Sequence, residues 1–318
     1  NGVRSMRKKV SIIGAGQVGS TAAQRIFERE YADIVLVDIV EGMPQGKALD
    51  ILESGPVVGS DSQIIGTNSY EETANSDVVV ITSGVARRPG MSRDDLLSIN
   101  MKIIDSVTKE VVNNSPNSII VVVTNPLDAM CHIAHDASGF PRERVIGQSG
   151  ILDTARFRTF LAQELNVSVR DIQAYVLGGH GDTMVPLVGY TTVGGVPVNE
   201  LIGKERLDQI VQRARDGGGE IVALLKTGSA YYAPAAGVAE MVDSIILDQH
   251  RILPCAVRLQ GEYGVSDVFS GVPIKLGASG LEEVVELKLS QEEKGMFQHS
   301  VDAVHELLEA MNSIKNQA

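Results

Sequence analysis

The chain is predicted to be an α/β protein: a doubly wound parallel sheet of the Rossmann type, followed by an α+β domain. Three features of the sequence support this prediction. Short apolar runs in the first half are continuous rather than alternating, amphipathic stretches of helical length separate them, and the second half groups its strands apart from its helices. Continuous apolar runs are typical of strands buried on both faces. Strands joined by helices of this length form parallel βαβ units with right-handed crossovers.

In the first half, strand and helix candidates alternate. The strand candidates are residues 10–13, 34–38, 78–81 and 119–123, and the helical patterns cover residues 17–30, 44–52 and 93–113. Pro116 follows the last of these patterns, and proline disfavours the continuation of a helix. We predict that residues 1–148 form the Rossmann domain.

The second half has a different organisation. Its predicted helices are 152–165, 204–226, 234–247 and 291–314, and its strand-like regions are 172–193 and 252–275. Turns are expected at Gly261, Gly264 and Gly271 within the later strand-rich region, because glycine is a common turn residue. We predict an α+β domain over residues 149–318, with a boundary that rests on the change of pattern alone.

Composition excludes several classes of function. The formal net charge of −12 and the absence of tryptophan argue against a nucleic-acid partner, whose binding depends on clustered basic residues. No apolar run approaches the roughly 18 residues of a membrane span. Residues 1–9 are basic and lack an apolar core, so we expect no signal peptide and a cytoplasmic location. Cys131, His132 and His135 are spaced closely enough to suggest a metal cluster, but they lie on a helical pattern that favours packing, and we predict no metal site.

A glycine-rich turn joins the first strand to the first helix. It has the pattern Gly-x-Gly-x-x-Gly and consists of Gly14, Ala15, Gly16, Gln17, Val18 and Gly19. Gly14 and Gly16 permit a tight turn and close approach to a pyrophosphate, and Gly19 permits close packing of helix and strand. Asp38, at the end of the second strand, is placed to accept the adenosine ribose hydroxyls and to repel a 2′-phosphate. These residues predict NAD rather than NADP as the cofactor.

Four further segments occur in a particular order. They are Val-Ala-Arg-Arg-Pro-Gly-Met-Ser-Arg at 85–93, Val-Thr-Asn-Pro at 123–126, Gly-Ile-Leu-Asp-Thr-Ala-Arg at 150–156 and Gly-Gly-His-Gly-Asp at 178–182. With these motifs the chain resembles the lactate/malate dehydrogenase family over essentially its whole length, and within it the lactate-dehydrogenase-like malate dehydrogenases of prokaryotes. The resemblance implies reversible, NAD-dependent oxidation of malate to oxaloacetate. It also implies a homodimer or a homotetramer.

The chemistry requires a group that exchanges a proton with the substrate hydroxyl. Imidazole serves as acid and base near neutral pH, so His180 is the predicted general acid/base. The resemblance implies that Asp153 orients its ring, and that Arg93 polarises the substrate carbonyl. Arg156 lies three residues beyond Asp153 on the same helical face, where its planar fork suits the substrate carboxylate. Asn125 is expected to hydrogen-bond the substrate oxygen.

The remaining cofactor contacts are expected at the ends of strands and on the helix after the loop. Val123, Thr124 and Asn125 follow a strand at the carboxyl edge of the sheet, where ligands bind in open α/β folds. Asn100 is also expected to contact the cofactor, with an ordinary surface asparagine as the alternative.

The choice of substrate depends on Arg87. The resemblance implies that this loop position reads the group beyond the keto carbon, with arginine for a second carboxylate and glutamine for a methyl group. A buried arginine that faced a methyl group would lack a counter-charge, at a cost of several kcal/mol. Arg88 is the alternative for this role by adjacency, and residues 86–97 are expected to close over the substrate. The competing functions are lactate or another 2-hydroxyacid dehydrogenase, and a non-catalytic NAD-binding protein.

Overall fold

The computed structural model describes residues 7–86 and 92–317. The helices are α1 (Gln17–Phe27), α2 (Met43–Val58), α3 (Arg93–Asn114), α4 (Leu127–Ser138), α5 (Gly150–Leu165), α6 (Val198–Leu201), α7 (Lys204–Leu225), α8 (Tyr232–Ile246) and α9 (Gln291–Gln317). The strands are β1 (Lys8–Ile13), β2 (Ala32–Val37), β3 (Ile64–Thr67), β4 (Val78–Ile81), β5 (Ile119–Val122), β6 (Val145–Gly147), β7 (Ile172–Gln173), β8 (Val176–Leu177), β9 (Val185–Pro186), β10 (Thr192–Val193), β11 (Val196–Pro197), β12 (Arg251–Gln260), β13 (Ser266–Gly277) and β14 (Gly280–Val284).

A central sheet of nine strands has the order β14-β13-β12-β6-β5-β4-β1-β2-β3. Strands β1 to β6 are parallel and follow the order 3-2-1-4-5-6 of the dinucleotide-binding fold. The carboxyl ends of β1, β2, β4 and β5 therefore meet at one edge. This arrangement confirms the predicted doubly wound sheet.

Alternate residues of each parallel strand face opposite layers. Val78 and Val80 pack in a cluster with α1 and α8, whereas Val79 and Ile81 pack in a second cluster with α3 and α4. Side chains of a strand alternate between faces, so a strand covered on both faces needs apolar residues at every position. This is the physical reason for the unbroken valine and isoleucine runs.

Strands of the second half extend the same sheet. β12 pairs antiparallel with β6 through Ala256 and Gly147, and β13 and β14 follow in turn. The sequence predicts these strands as part of an α+β second half, and in the structure they also continue the sheet of the first half. The other strands of this half form two small sheets, one of β11, β10 and β7 and one of β8 and β9.

Two strands lack a clear pattern in the sequence, and one predicted turn is wrong. β3 and β6 are only four and three residues long. Helix α4, which carries the helical pattern of Cys131 to His135, is buried over most of its surface. Gly271, expected in a turn, lies inside β13 opposite Ala256. A Cβ atom there would lie 2.6 Å from the carbonyl oxygen of Gly178, so the glycine permits a close backbone approach. Helix α2 runs to Val58, beyond the predicted end.

No helix in the described parts of the chain combines the length and the apolar composition needed to cross a bilayer.

Candidate active site

The loop that carries His180 is anchored to two other parts of the fold. Gly178 and Gly271 of β13 exchange two backbone hydrogen bonds, with N···O distances of 2.8 and 3.0 Å. The next residue, Gly179, donates its N–H to Oγ of Ser300 in α9 at 2.6 Å. Ser300 is fully buried. The backbone on the amino side of His180 is therefore fixed by a strand and a helix that are distant in sequence.

His180 forms a pair with Asp153 of α5. The distance between Nδ1 of the ring and Oδ2 of the carboxylate is 2.9 Å, and the side chains are 17% and 3% exposed. Burial by itself would lower the pKa of His180, but attraction to Asp153, their hydrogen bond and attraction to Asp128 outweigh burial and raise it. Because Nδ1 is engaged by a carboxylate, Nε2 is the ring nitrogen available to a substrate.

Arg156 lies one helical turn beyond Asp153. Its Nη1 is 3.5 Å from Oδ1 of Asp153, and its side chain is 15% exposed. Its Nε is buried and has no hydrogen-bond partner among the described residues. A buried guanidinium donor without a partner is costly, and a substrate carboxylate would supply the missing acceptor. The structure thus brings together His180, Asp153 and Arg156, as the motifs predict.

Two glycines of the dinucleotide turn are required by packing. Gly14 has a φ of +111°, and a Cβ atom on it would lie 2.5 Å from Oγ1 of Thr82. A Cβ atom on Gly19 would lie 1.8 Å from the carbonyl oxygen of Gly14. At Gly16, by contrast, a Cβ atom would have no neighbour within 4 Å. The open side of the turn is therefore at Gly16, where a ligand can approach the backbone.

The acidic residue at the end of β2 lies against this turn. Oδ2 of Asp38 accepts the N–H of Ala15 at 2.7 Å, and Oδ1 accepts the N–H of Val40 at 3.0 Å. A carboxylate offers about four acceptor positions, so ribose hydroxyls can still be bound. Helix α1 begins after Gly16 without a side-chain cap. Its first N–H groups and its dipole therefore suit a pyrophosphate, and the residues present fit a bound NAD.

The segment after β5 is hydrogen-bonded to the segment after β4, which leads into the predicted substrate loop. Oγ1 of Thr124, which follows Val123, donates to the carbonyl oxygen of Ser83 at 2.6 Å. Asn100 of α3 is only 1% exposed, which corrects the alternative of a surface residue. Its amide binds both backbone groups of Val85, at 2.9 and 3.2 Å, and the carbonyl oxygen of Asn125 at 2.8 Å. Its visible role is to hold two loops together.

Part of the predicted substrate loop lies outside the described residues. This applies to Arg87 and Arg88 and to the side chain of Arg93, where α3 begins. Immediately before α3, Ser92 forms a capping box with Asp95: Oγ of Ser92 accepts the N–H of Asp95 at 3.0 Å, and Oδ2 of Asp95 accepts the N–H of Ser92 at 3.1 Å. Residues 93–97, included in the segment expected to close, are thus the first turn of a capped helix.

Sequence reasoning missed Asp128, a buried carboxylate beside the His180 pair. Asp128 lies in the first turn of α4 and is 4% exposed. Its Oδ2 accepts the backbone N–H of His180 at 3.1 Å. Its position three residues after Asn125, at the carboxyl edge of the sheet, was the available signal. Ser300, on a helix at the far end of the chain, had no local signal.

The cysteine and histidine group on α4 is part of the packing. Cys131 is fully buried, and Nε2 of His132 accepts the backbone N–H of Phe269 at 3.1 Å. Burial lowers the pKa of His132 to about 4, so this ring is neutral at physiological pH. Elsewhere among the described residues, Asp248, His250 and Glu282 lie close enough together to hold a metal ion. The His250 ring, however, already pairs with both carboxylates.

Family models match both halves of the chain. Residues 8–147 match the lactate/malate dehydrogenase NAD-binding domain, and residues 151–318 match the lactate/malate dehydrogenase alpha/beta C-terminal domain. The chain belongs to the lactate/malate dehydrogenase family.

Relatives in this family are similar over nearly their full lengths. The malate dehydrogenase of Thermomicrobium roseum is 60% identical over 309 residues, which are 97% of this chain and 100% of that protein. The malate dehydrogenase structure from Salinibacter ruber has a TM-score of 0.94 at 52% identity and covers 97% of this chain and 99% of its own. The lactate dehydrogenase of Cryptosporidium parvum, solved with lactic acid and NAD, has a TM-score of 0.93 at 41% identity, with coverages of 96% and 98%.

Proposed function

We propose that the protein catalyses the reversible oxidation of (S)-malate to oxaloacetate with NAD. The observation that carries this proposal is the 2.9 Å pair of His180 and Asp153 with Arg156 one turn further along α5. A protein that only bound NAD would not need a buried, carboxylate-paired histidine beside a buried arginine. Lactate or another 2-hydroxy acid is the alternative substrate on the same scaffold.

His180 is the general acid/base of the proposed reaction. During malate oxidation, Nε2 accepts the proton of the substrate hydroxyl, and in reduction the same proton returns to the carbonyl oxygen. Asp153 holds the ring in the required tautomer and stabilises the imidazolium that forms. Arg156 binds the carboxylate next to the reacting carbon, and this fixes which face of the carbon meets the cofactor. Arg93 is assigned to polarising the carbonyl.

NAD supplies the hydride acceptor when it is bound. We assign the pyrophosphate to Gly14, Ala15, Gly16, Gln17, Val18 and Gly19, and the adenosine ribose to Asp38. Val123, Thr124 and Asn125, at the carboxyl edge beyond β5, are assigned to the nicotinamide side, and Asn125 also to the substrate oxygen. Asn100 supports this edge by its bonds to the loops on either side.

The choice of malate over lactate is assigned to Arg87. A guanidinium at this position pairs with the second carboxylate of oxaloacetate, whereas the methyl group of pyruvate would leave it without a counter-charge. The names of the relatives support the same choice: those between 57% and 60% identical are malate dehydrogenases.

We also propose the organisation of the protein. Residues 1–148 form the cofactor domain and residues 149–318 the catalytic domain, a division supported by family matches that end at 147 and begin at 151.

A homodimer or homotetramer is supported by large apolar side chains that are exposed in the single chain, among them Val57 at 87% and Leu224 at 75%. A cytoplasmic location with no nucleic-acid partner fits the acidic composition and two buried free cysteines.

The deciding experiment compares oxaloacetate and pyruvate as substrates with NADH as the reductant. We expect kcat/KM for oxaloacetate to exceed that for pyruvate by about a hundredfold or more, since a buried unpaired charge costs several kcal/mol. NADPH in place of NADH provides the cofactor control and should be a poorer reductant. A preference for pyruvate would refute malate as the substrate, and no turnover of either keto acid would refute the reaction.

A further inference from the structure

Asp128 makes a contact with His180 that does not require a charge. Its Oδ2 accepts the backbone N–H of His180 at 3.1 Å, and an asparagine oxygen would serve the same purpose. Its Oδ1 is buried and has no hydrogen-bond partner among the described residues. An ionised carboxylate in such a place is costly. The presence of an acid here therefore needs a reason other than backbone anchoring.

The groups that face Asp128 come from several elements. His180 from the loop after β8 and Asp153 from α5 are the charged neighbours, and Cys131 in the next turn of α4 is a neighbouring thiol. Arg156, which pairs with Asp153, lowers the pKa of His180 by electrostatic repulsion. Two neutral hydroxyls, those of Ser300 in α9 and Thr183 in the His180 loop, lie near Gly179. A Cβ atom built on Gly179 would be 3.4 Å from each hydroxyl oxygen.

Two carboxylates thus act on one imidazole. Burial raises the pKa of Asp128 to about 7. The hydrogen bond from the His180 backbone and attraction to the His180 ring oppose this rise, and repulsion by Asp153 adds to it. Asp128 in turn is one of the groups that raise the pKa of His180. In a buried site, opposite charges favour each other's charged forms. Ionisation of Asp128 and protonation of His180 are therefore coupled.

We propose that Asp128 is a positioning residue whose charge, placed against the backbone of His180, helps to stabilise the imidazolium formed when malate is oxidised. Asp153 provides this stabilisation at the ring, and Asp128 provides it from its place against the backbone of His180, where it also holds the loop. The proposal rests on the proposed function, because it assigns a role within that reaction. It predicts that the charge of Asp128, and not only its hydrogen bond, affects the titration of His180.

The test is the substitution Asp128→Asn, which keeps an acceptor oxygen and removes the charge. The pH dependence of kcat/KM for malate at saturating NAD reports the pKa of the base. We expect its acidic limb to move to lower pH by about half a unit or more, as removal of a nearby opposite charge requires. A limb that coincides with that of the parent protein would overturn the proposal and leave Asp128 as a backbone acceptor only.

Two further variants separate charge from structure. Asp136→Asn removes the same charge from the same helix at a side chain that is 61% exposed, and should leave the limb in place. Ser300→Ala removes the Gly179 anchor without a change of charge, and should lower kcat without moving the limb. A shift in Ser300→Ala equal to that in Asp128→Asn would mean that loop position, not charge, is responsible, and would overturn the proposal.

A measurement without turnover completes the design. The C2 proton of His180, assigned by its loss in His180→Asn, is titrated by NMR in the full-length parent and in Asp128→Asn. The midpoint should be lower in the variant, and equal midpoints would overturn the proposal. If the parent protein fails to oxidise malate, the proposed function fails, while this titration still decides the role of Asp128. Asp128→Ala, which should give the same downward shift, replaces the asparagine variant if that variant does not fold.

Discussion

Three consecutive glycines in α7, Gly217 to Gly219, offer a graded test of the role assigned to Arg156. Each glycine in a helix interior costs about 1 kcal/mol relative to alanine, so their presence requires an explanation. A Cβ atom at Gly217 would lie 3.0 Å from Cδ of Arg156, whereas at Gly219 it would have no neighbour within 4 Å. Gly217 is buried against Arg156, and its missing side chain leaves room for the guanidinium.

We predict that Gly217→Ala weakens substrate binding while Gly219→Ala does not. The added methyl group forces the Arg156 side chain to move by a few tenths of an ångström, since 3.0 Å is shorter than an ordinary contact. A hydrogen bond to a charged group contributes about 1.5–3 kcal/mol, and losing about half of it raises KM for oxaloacetate roughly three- to tenfold. Gly219→Ala should raise the free energy of unfolding by about 0.5–1 kcal/mol and leave KM unchanged.

The assay is steady-state reduction of oxaloacetate by NADH, together with urea unfolding of the parent protein and both variants. The comparison is internal, because the two substitutions are identical and lie two residues apart on the same helix. If Gly217→Ala kept the KM of the parent and gained as much stability as Gly219→Ala, Arg156 would not be the carboxylate-binding residue in this position.

Four other predictions concern the proton, the substrate, the cofactor and pH. His180→Asn should abolish turnover but keep NADH binding, measured by fluorescence titration; retained turnover would remove His180 from the mechanism. Arg87→Gln should lower the ratio of kcat/KM for oxaloacetate to that for pyruvate by at least about tenfold, and an unchanged ratio would refute the specificity assignment. Asp38→Ala should reduce the preference for NAD over NADP, which the ratio of kcat/KM values measures. Because the pKa of His180 is raised, malate oxidation, which needs the neutral ring, should increase with pH until above the usual histidine range, while oxaloacetate reduction should decline there.

The parts of the site that depend on local sequence were predictable. The dinucleotide turn requires glycines at fixed spacing between a strand and a helix, and the structure shows that a side chain at Gly14 or Gly19 would clash with backbone or with Thr82. The pair of Asp153 and Arg156 was also predictable, because residues three apart share a helical face. In both cases a short segment contains the whole physical reason for its residues.

Residues whose reasons lie elsewhere in the chain were not predictable in the same way. Asn100 looks like an ordinary helical asparagine until the structure shows its amide between two loops. Gly271 has the sequence character of a turn residue, yet it lies in β13. A side chain is excluded there because the backbone of Gly178 approaches it closely. β12 joins the central sheet through a single pair with β6, a contact for which no periodicity gives a signal.

The proposed acid/base residue and the proposed specificity residue are held by different parts of the chain. His180 and its neighbours are held by β13, α9, α4 and α5, and α4 belongs to the half of the chain that binds the cofactor. Arg87, by contrast, belongs to a short segment between two fixed points. One is Val85, which Asn100 holds by hydrogen bonds, and the other is Ser92, which caps α3. If the proposed function holds, a substitution at Arg87 is therefore expected to change the substrate preference and to leave the contacts of His180 in place. This expectation is consistent with the lactate dehydrogenase that matches this chain at a TM-score of 0.93.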